Sequence, residues 1–204
     1  METLGEDLLL LAIDPGNGAL RHRSRLRFGL MGAELAALAA AGRIDISNGK
    51  IVVTDGTGLT TGDQDLDAAL AALATARRPP RPSNWVSHAR RSITESYLQR
   101  LAAAGSVQRQ KGALVTKWPI VDGSRPSAAR AKVDAVALGS SQFDAAEAAL
   151  AGLVSAIGLS SQLYPGWGNR AVRRRLREIA TQQWPAEAVR RAIAAAESAS
   201  AAAG

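Results

Sequence analysis

Apolar residues recur at helical spacing along most of this chain. The first such stretch covers residues 4–13 and includes four consecutive leucines at 8–11. Thr3, followed three positions later by Glu6, predicts a capping box at its start, and the turn-forming cluster at residues 14–18 predicts its end. In residues 25–41 apolar side chains return every three or four positions, and Gly42 follows where a left-handed C-cap is expected. Two core helices are therefore predicted before residue 42.

Two of the predicted helices are each followed by a hairpin. Residues 43–54 alternate around Asn48-Gly49, a dipeptide typical of tight hairpin turns. The same order recurs later in the chain, since Leu-Ala-Ala-Ala-Gly occurs at both 38–42 and 101–105. The second unit is predicted as a long helix over residues 84–104 and a hairpin over residues 106–118. Two copies are too few to predict a solenoid.

The C-terminal third is predicted to be helical. Helices are expected over residues 126–138, 142–157 and 169–182, and Pro185 opens a last one at its first position. Residues 198–204 contain only Ser, Ala and Gly, so they form no apolar face and are expected to fray. The predicted fold is mainly α, a single compact helical domain over residues 1–197 with two antiparallel β-hairpins.

Composition limits the chemistry that this chain can carry out. It has no cysteine, which removes thiolate metal ligands, and neither His22 nor His88 has a His, Asp or Glu partner at metal-binding spacing. No nucleophile elbow or similar catalytic motif occurs. We therefore expect no enzymatic activity, no metal and no cofactor.

The charge balance indicates an anionic partner. The 204 residues carry 25 Lys and Arg against 18 Asp and Glu, a net charge of +7. The longest strongly apolar run, residues 8–13, falls far short of the roughly 20 residues needed to cross a bilayer. Glu2 and Glu6 precede it where a signal peptide would be positively charged. The expected location is cytoplasmic, with any membrane contact peripheral.

Arginines are the strongest candidate binding residues. Four of them alternate with other residues at positions 21–27, namely Arg21, Arg23, Arg25 and Arg27. In an extended segment they would project to one side, with His22 opposite. Such a row is either a solvated basic edge or a phosphate site. A phosphate site gains support from the helix that follows, because a helix N-terminus offers free N–H groups to a phosphate, and arginine pairs with phosphate oxygens bidentately.

Two motifs connect this chain to a known family. The first, Leu-Ala-x-x-Gly-Arg-Ile at 38–44, ends a helix, and the second, Thr-Gly-Asp-x-x-Leu-Asp-x-Ala-Leu at 61–70, begins one. Together they resemble the Golgi phosphoprotein 3 family, and weaker similarity extends from residue 4 to residue 159. The chain resembles a bacterial member of the phosphatidylinositol 4-phosphate-binding type. This resemblance implies a mostly helical, non-enzymatic protein that binds the phosphorylated headgroup peripherally, at the inner face of the cell membrane.

The family's headgroup residues carry over to this chain only in part. Its tryptophan before a helix falls at His22, and one of its arginines falls at Met31. A pair of arginines three positions apart falls at Arg91 and Thr94. Because only Arg91 keeps its identity, preference for the inositol lipid is expected to be weak. The resemblance implies an anionic phospholipid or phosphate site formed by Arg21, His22, Arg23, Arg25, Arg90 and Arg91.

The second hairpin is the other site that the resemblance implies. In the family this hairpin serves self-association and membrane contact, which here would involve Leu114, Val115 and Trp118. The alternative is that these apolar residues cover the preceding helix. An indole at a strand end suits a lipid interface as well as the edge of a core. A homo-oligomer formed through this hairpin is therefore also an expectation.

A winged-helix nucleic-acid-binding protein is the alternative function. A helix followed by a hairpin, twice over, on a basic chain is typical of such proteins. Within residues 31–41, however, the helix before the first hairpin offers only Glu34 as a strongly polar residue, and its charge would repel a DNA backbone. The second helix is a better match, because it carries Arg90, Arg91, Gln99 and Arg100. The family resemblance favours an anionic lipid over nucleic acid as the partner.

Overall fold

A computed structural model describes residues 3–54, 60–112, 115–139 and 143–202. The first part of the described chain forms, in order, α1 (Leu4–Ala12), α2 (Arg23–Ala40), β1 (Ile44–Ser47), β2 (Lys50–Val53), α3 (Gln64–Ala74), α4 (Pro82–Ser87) and α5 (Ile93–Ala103). The second part forms β3 (Gln110–Lys111), β4 (Thr116–Lys117), α6 (Ser124–Ala137), α7 (Ala145–Ala156), α8 (Ser160–Leu163), a 3-10 turn (Trp167–Asn169), α9 (Arg170–Gln182) and α10 (Trp184–Ala202). The predicted fold class is confirmed, because helices dominate and the two sheets of the described residues are two-stranded and antiparallel.

Both predicted hairpins are present, and the sequence explains the turn of the first. Strands β1 and β2 pair around Asn48 and Gly49, which have φ angles of 51° and 72°. Glycine adopts this left-handed conformation without penalty, and asparagine tolerates it better than most residues. Strand β3 pairs with β4, and an additional bridge joins Val107 to Ile120, so the second hairpin extends beyond its two short strands.

The single long helix predicted over residues 84–104 is wrong. Helix α4 ends at Ser87, and α5 begins only at Ile93. The Asn84 carbonyl accepts a hydrogen bond from Ser87 Oγ at 2.8 Å and lies 2.7 Å from His88 Nδ1, so side chains compete with the helical backbone bonds. The connection between the two helices also brings Arg90 to a buried carboxylate of α2.

The C-terminal helices follow the predicted pattern with shifted ends. Helix α6 begins at Ser124 and α7 begins at Ala145, whereas Gln142, the predicted start of the second of these helices, lies outside the described residues. Helix α10 continues through Ala202, and its side chains from Ser198 onward are exposed. Fraying of this tail stays a prediction, and residues 203–204 lie outside the described part of the chain.

Helix α1 lies at the centre of the fold. Every residue from Gly5 to Ala12 is buried, including the four leucines at 8–11. This helix contacts α2, α5, α6 and α7, so it has no face left for solvent. The surprise in this apolar setting is that Glu6 and Asp7 are also buried, with only 7% and 4% exposure.

Both buried carboxylates of α1 are paired with cations from neighbouring helices. Glu6 accepts hydrogen bonds from Arg100 of α5 at 3.0 Å and from Arg125 of α6 at 2.7 Å. Asp7 accepts one from Lys132 of α6 at 2.7 Å. Burial of a charge is tolerated only with such partners. These pairs therefore fix α1 to α5 and α6.

Glycines let α2 pack closely against the C-terminal helices. A Cβ atom at Gly32 would lie 2.4 Å from Val189 Cγ2 of α10 and 2.8 Å from Leu153 Cδ2 of α7. A Cβ at Gly29 would lie 2.8 Å from Ile157 Cγ2. These separations are shorter than normal contacts between carbon atoms, so a larger residue would push the helices apart.

We predict that Gly32→Ala destabilises the fold by about 1–3 kcal/mol, because the added methyl group overpacks the contact between three helices. Chemical denaturation followed by circular dichroism measures this loss. The matched control is Gly123→Ala, since Gly123 has an ordinary φ of −74° and a Cβ there would meet no atom within 4 Å. Equal stability of Gly32→Ala and the wild type would contradict the close packing.

Glu34 is a buried residue of α2, and only one of its two carboxylate oxygens has a hydrogen-bond partner among the described residues. Its side chain has no solvent exposure and accepts a hydrogen bond from Arg90, in the connection between α4 and α5. Within the described residues, its Oε2 atom has no hydrogen-bond partner. Burial raises the pKa of Glu34 to about 7, although the Arg90 guanidinium opposes this rise.

Stability should therefore fall as the pH rises from 4.5, the ordinary pKa of a glutamate, to about 7. In this range the folded protein keeps a proton on Glu34 that the unfolded chain has released, and the difference corresponds to about 3 kcal/mol. Glu34→Gln should remove this part of the pH dependence, as measured by denaturation midpoints across the range. Glu178→Gln, which removes an exposed carboxylate, serves as the control. Parallel pH profiles for the two variants would rule out Glu34 as the titrating group.

Candidate functional site

Arg23 and Arg91 line one small cleft, although they come from different parts of the chain. Arg23 is the first residue of α2, and Arg91 lies in the connection between α4 and α5. The cleft has a volume of about 280 Å³. Its lining residues are Leu20, Arg23, Arg91, Thr94, Glu95, Leu98, Thr116 and Trp118. We call it the arginine cleft.

The second hairpin forms the floor of the arginine cleft. Trp118 is only 1% exposed, so its ring forms part of the floor. The backbone N–H of Trp118 donates to the Gly18 carbonyl at 2.7 Å. Gly18 has a φ of 68°, and a Cβ there would lie 2.5 Å from the backbone nitrogen of Pro119. Glycine is therefore required where the hairpin packs against the turn that precedes α2.

The arginine cleft presents cations, hydroxyl groups and a carboxylate. Its two arginines are exposed, and Thr94 and Thr116 contribute hydroxyl groups. Glu95 is the one carboxylate among the described lining residues, and it lies 3.6 Å from Arg109 in a solvent-exposed ion pair. With this carboxylate paired to a cation outside the lining, the cleft keeps a positive character.

The alternating arginines do not form the one-sided row that an extended segment would give. Because α2 begins at Arg23, each residue turns by about 100°, and Arg23 and Arg25 project in nearly opposite directions. Arg25 pairs with Glu197 of α10 at 2.6 Å. Arg21, in the preceding turn, pairs with Asp14 at 2.7 Å. Neither Arg21 nor Arg25 lines the arginine cleft.

His22 immediately precedes α2 in an unusual conformation. Its φ of 49° is left-handed, and its side chain does not cap the helix. The Nε2 atom is buried and has no hydrogen-bond partner within the described residues. Burial lowers the pKa of His22, and the nearby Arg25 and Arg21 lower it further, so the neutral ring is favoured. The ring lies beside Gly158 and is not part of the cleft lining.

Arg90 and Arg91 are adjacent in sequence but face different surroundings. Arg90 turns inward to the buried carboxylate of Glu34, whereas Arg91 is exposed at the cleft. Thr94, a position where the resemblance implies an arginine, also lines the cleft. Met31, the other such position, is 2% exposed and packs in the core. Of the five arginines and one histidine predicted to bind phosphate, the lining of the cleft contains Arg23 and Arg91.

Several lining residues were not predicted from the sequence. Glu95 and Leu98 follow Arg91 by four and seven residues, so helical spacing could have indicated them. Leu20 carries no comparable signal, and neither does Thr116. These two reach the cleft only through the packing of the second hairpin against the turn before α2.

The predicted membrane contact of the second hairpin is corrected at one position. Trp118 is buried and packs with the core, so it is not available to a lipid surface. The physical reason is the close contact of the hairpin with the turn before α2. Val115 is 45% exposed and remains a candidate for membrane contact or self-association. Leu114 lies outside the described residues.

A second, larger cleft is less suited to an anionic ligand. It has a volume of about 1040 Å³ and lies among α2, α3, α5 and α7, with many alanines in its walls. Arg100 is the cation among its described lining residues. This guanidinium already donates to Asp63, Asp65 and Glu6. It is therefore engaged in the fold and not available to a phosphate.

Two further findings concern the described residues as a whole. None of their helices is both long enough and apolar enough to span a bilayer. The same residues contain no group of three or more His, Asp or Glu side chains placed to hold a metal ion.

Comparison with known proteins gives one result that covers nearly the whole chain. The family model described as Golgi phosphoprotein 3 (GPP34) matches residues 4–196. A comparison with curated protein sequences gave no match. The matched range includes every helix from α1 to α9, both hairpins and all the residues that line the arginine cleft. The chain therefore belongs to the Golgi phosphoprotein 3 family.

Proposed function

We propose that this protein is a non-enzymatic, peripheral membrane protein that binds the phosphate group of an anionic phospholipid. The observation that carries the proposal is the meeting of Arg23 and Arg91 in a cleft of about 280 Å³. Membership of the Golgi phosphoprotein 3 family supports a lipid partner. The net charge of +7 favours attraction to an anionic surface.

The arginine cleft has the chemistry that a phosphate group requires. Guanidinium groups pair with phosphate oxygens through parallel N–H donors, which orients the ligand as well as holding it. Arg23 begins an 18-residue helix, whose N-terminal end carries partial positive charge. Thr94 and Thr116 offer hydroxyl groups to the remaining headgroup oxygens. Trp118 and Leu98 exclude water from one side, which strengthens these interactions relative to exposed ion pairs.

The burial of the two candidate recognition helices supports a lipid over nucleic acid. A recognition helix must present its side chains to a groove of the duplex. Helix α2, before the first hairpin, has eleven of its 18 residues buried. Helix α5, before the second, buries Tyr97 and Leu101, and its Arg100 is held by carboxylates. Neither helix is free to enter a groove.

The proposal extends to location, selectivity and self-association. The protein would be held peripherally at the inner face of the cell membrane. Its preference for phosphatidylinositol 4-phosphate would be weak, because Met31 is buried and Thr94 supplies no cation. Self-association would use the second hairpin, where Val115 is exposed.

We predict that combining Arg23→Ala with Arg91→Ala weakens binding to phosphatidylglycerol-containing liposomes by about tenfold to a hundredfold, because charge-assisted hydrogen bonds in a partly closed cleft are lost. Cosedimentation with liposomes measures the change. The matched control is Arg77→Ala with Arg78→Ala, which removes two exposed arginines from the connection between α3 and α4. This control should have a much smaller effect.

If both double variants lose affinity equally, binding follows net charge and the cleft is not a specific site. Unchanged binding by the Arg23 and Arg91 variant would also contradict the proposal. Circular dichroism of both variants separates a loss of binding from a loss of folding.

We predict only a weak preference among anionic lipids. Liposomes that contain phosphatidylinositol 4-phosphate, phosphatidylinositol, phosphatidylglycerol or cardiolipin at equal surface charge should bind within about tenfold of one another, because the described lining of the cleft contains two arginines and no third cation. Competition cosedimentation measures the order. Strong selectivity for the inositol 4-phosphate would show that other residues replace the family's missing arginines.

A further inference from the structure

Helix α9 and the turn before it form a basic surface with an exposed indole. The helix contains five arginines and one glutamate, a net charge of +4. Trp167 in the preceding 3-10 turn is 76% exposed. The guanidinium carbon of Arg170 lies 3.7 Å from the centroid of the Trp167 ring. The cation and the indole are therefore stacked in advance of any partner.

Three arginines continue this surface along α9. Arg170, Arg174 and Arg177 follow Trp167 at intervals of three and four residues, which places them on one side of the helix. All three are exposed. Arg174 has only a loose contact of 3.7 Å with the glutamate one turn away. No ion pair of Arg170 or Arg177 is found among the described residues. We call Trp167 and these three residues the tryptophan-arginine face.

The other side of α9 holds it on the protein. Leu176 and Ala180 are buried there, and the helix packs against α7, α10 and α6. The turn is fixed as well, because Arg173 Nη1 donates to the carbonyls of Tyr164 and Gly166, the latter at 2.8 Å. The exposed indole is thus presented from a structured turn at the end of a packed helix.

We infer that the tryptophan-arginine face is a second membrane contact, which lies against the anionic surface of a bilayer. An indole is favoured at the headgroup level, where its apolar ring and its N–H both find suitable surroundings. Arginines near an anionic lipid surface add attraction that is roughly additive over the row. This inference rests on the proposed membrane function but uses residues that are separate from the arginine cleft.

Charge complementarity alone would also admit a nucleic acid. The bases of a duplex are stacked inside, however, so the backbone would pair with the arginines and leave the indole without a partner. A bilayer surface accommodates both components of the face. Binding of single-stranded nucleic acid, whose bases can stack on an indole, is therefore the contrary outcome to test.

The test compares two triple variants of equal charge in the full chain. Arg170→Gln, Arg174→Gln and Arg177→Gln together alter the face. Three substitutions in the connection between α3 and α4 form the control, namely Arg77→Gln, Arg78→Gln and Arg81→Gln, and all three of these positions are exposed. With phosphatidylcholine vesicles containing phosphatidylglycerol, the first variant should bind at least about tenfold more weakly than the control. Equal affinities would overturn the inference.

Trp167 supplies a direct readout of contact. Brominated lipids in the vesicles should quench the fluorescence of the bound wild type, and Trp167→Phe should remove most of this quenching. Of the other three tryptophans, Trp118 is buried, and Trp85 and Trp184 are half-buried and pack against the core, so they should report much less. Unchanged quenching in Trp167→Phe would overturn the inference. The inference would also be overturned if the face bound single-stranded RNA while the α9 triple variant kept its full affinity for vesicles.

The arginine cleft and the tryptophan-arginine face can be judged separately. If the Arg23 and Arg91 variant loses vesicle binding while the α9 variant does not, the inference fails and the proposed function stands. If only the α9 variant loses binding, the inference stands and the cleft fails as the site. A chain that binds no anionic vesicle overturns both.

Discussion

The buried carboxylate of Glu6 is the interaction on which the arrangement of the helices depends. It lies on a helix with no exposed face and takes guanidinium groups from Arg100 of α5 and Arg125 of α6. Arg100 also donates a hydrogen bond to Asp63, the N-cap residue of α3. Such buried pairs add little net stability over apolar residues of similar size, because removing charges from water is costly. Removing one member of such a pair is far more destabilising, because it leaves the other charge buried without a partner. The network therefore determines which helices can lie around α1.

The pairing of Arg90 with the buried Glu34 determines where the cleft opens. Arg90 turns inward to Glu34, and the connection between α4 and α5 follows it, so the next residue, Arg91, is left at the surface. The second hairpin completes the cleft because a glycine at position 18 allows its backbone to approach closely. The cation at the candidate site is thus positioned by a pair, Arg90 and Glu34, that lies outside the cleft lining. Packing of the hairpin supplies the remaining wall.

Carboxylate pairing divides the arginines of this protein into two groups. Those with carboxylate partners, such as Arg25 and Arg100, are engaged with residues of other helices. Those on the surface, such as Arg23, Arg91 and Arg177, are available to an external anion. Net charge therefore indicates an anionic partner, but it does not identify the residues that contact this partner. The arginine cleft has the size of one headgroup, whereas the tryptophan-arginine face is an extended basic surface.

The sequence by itself determined the features whose causes are local. Helical periodicity predicted most of the helices, and Asn48-Gly49 predicted a hairpin turn, because each signal lies within a few residues of the structure it produces. The family motifs likewise pointed to Arg91. Only the tertiary structure decided that Arg25 and Arg90 turn away from the cleft and that Trp118 is buried. The residues that contact these side chains are distant in sequence. The local sequence pattern around a side chain is the same whether or not a distant element packs against it.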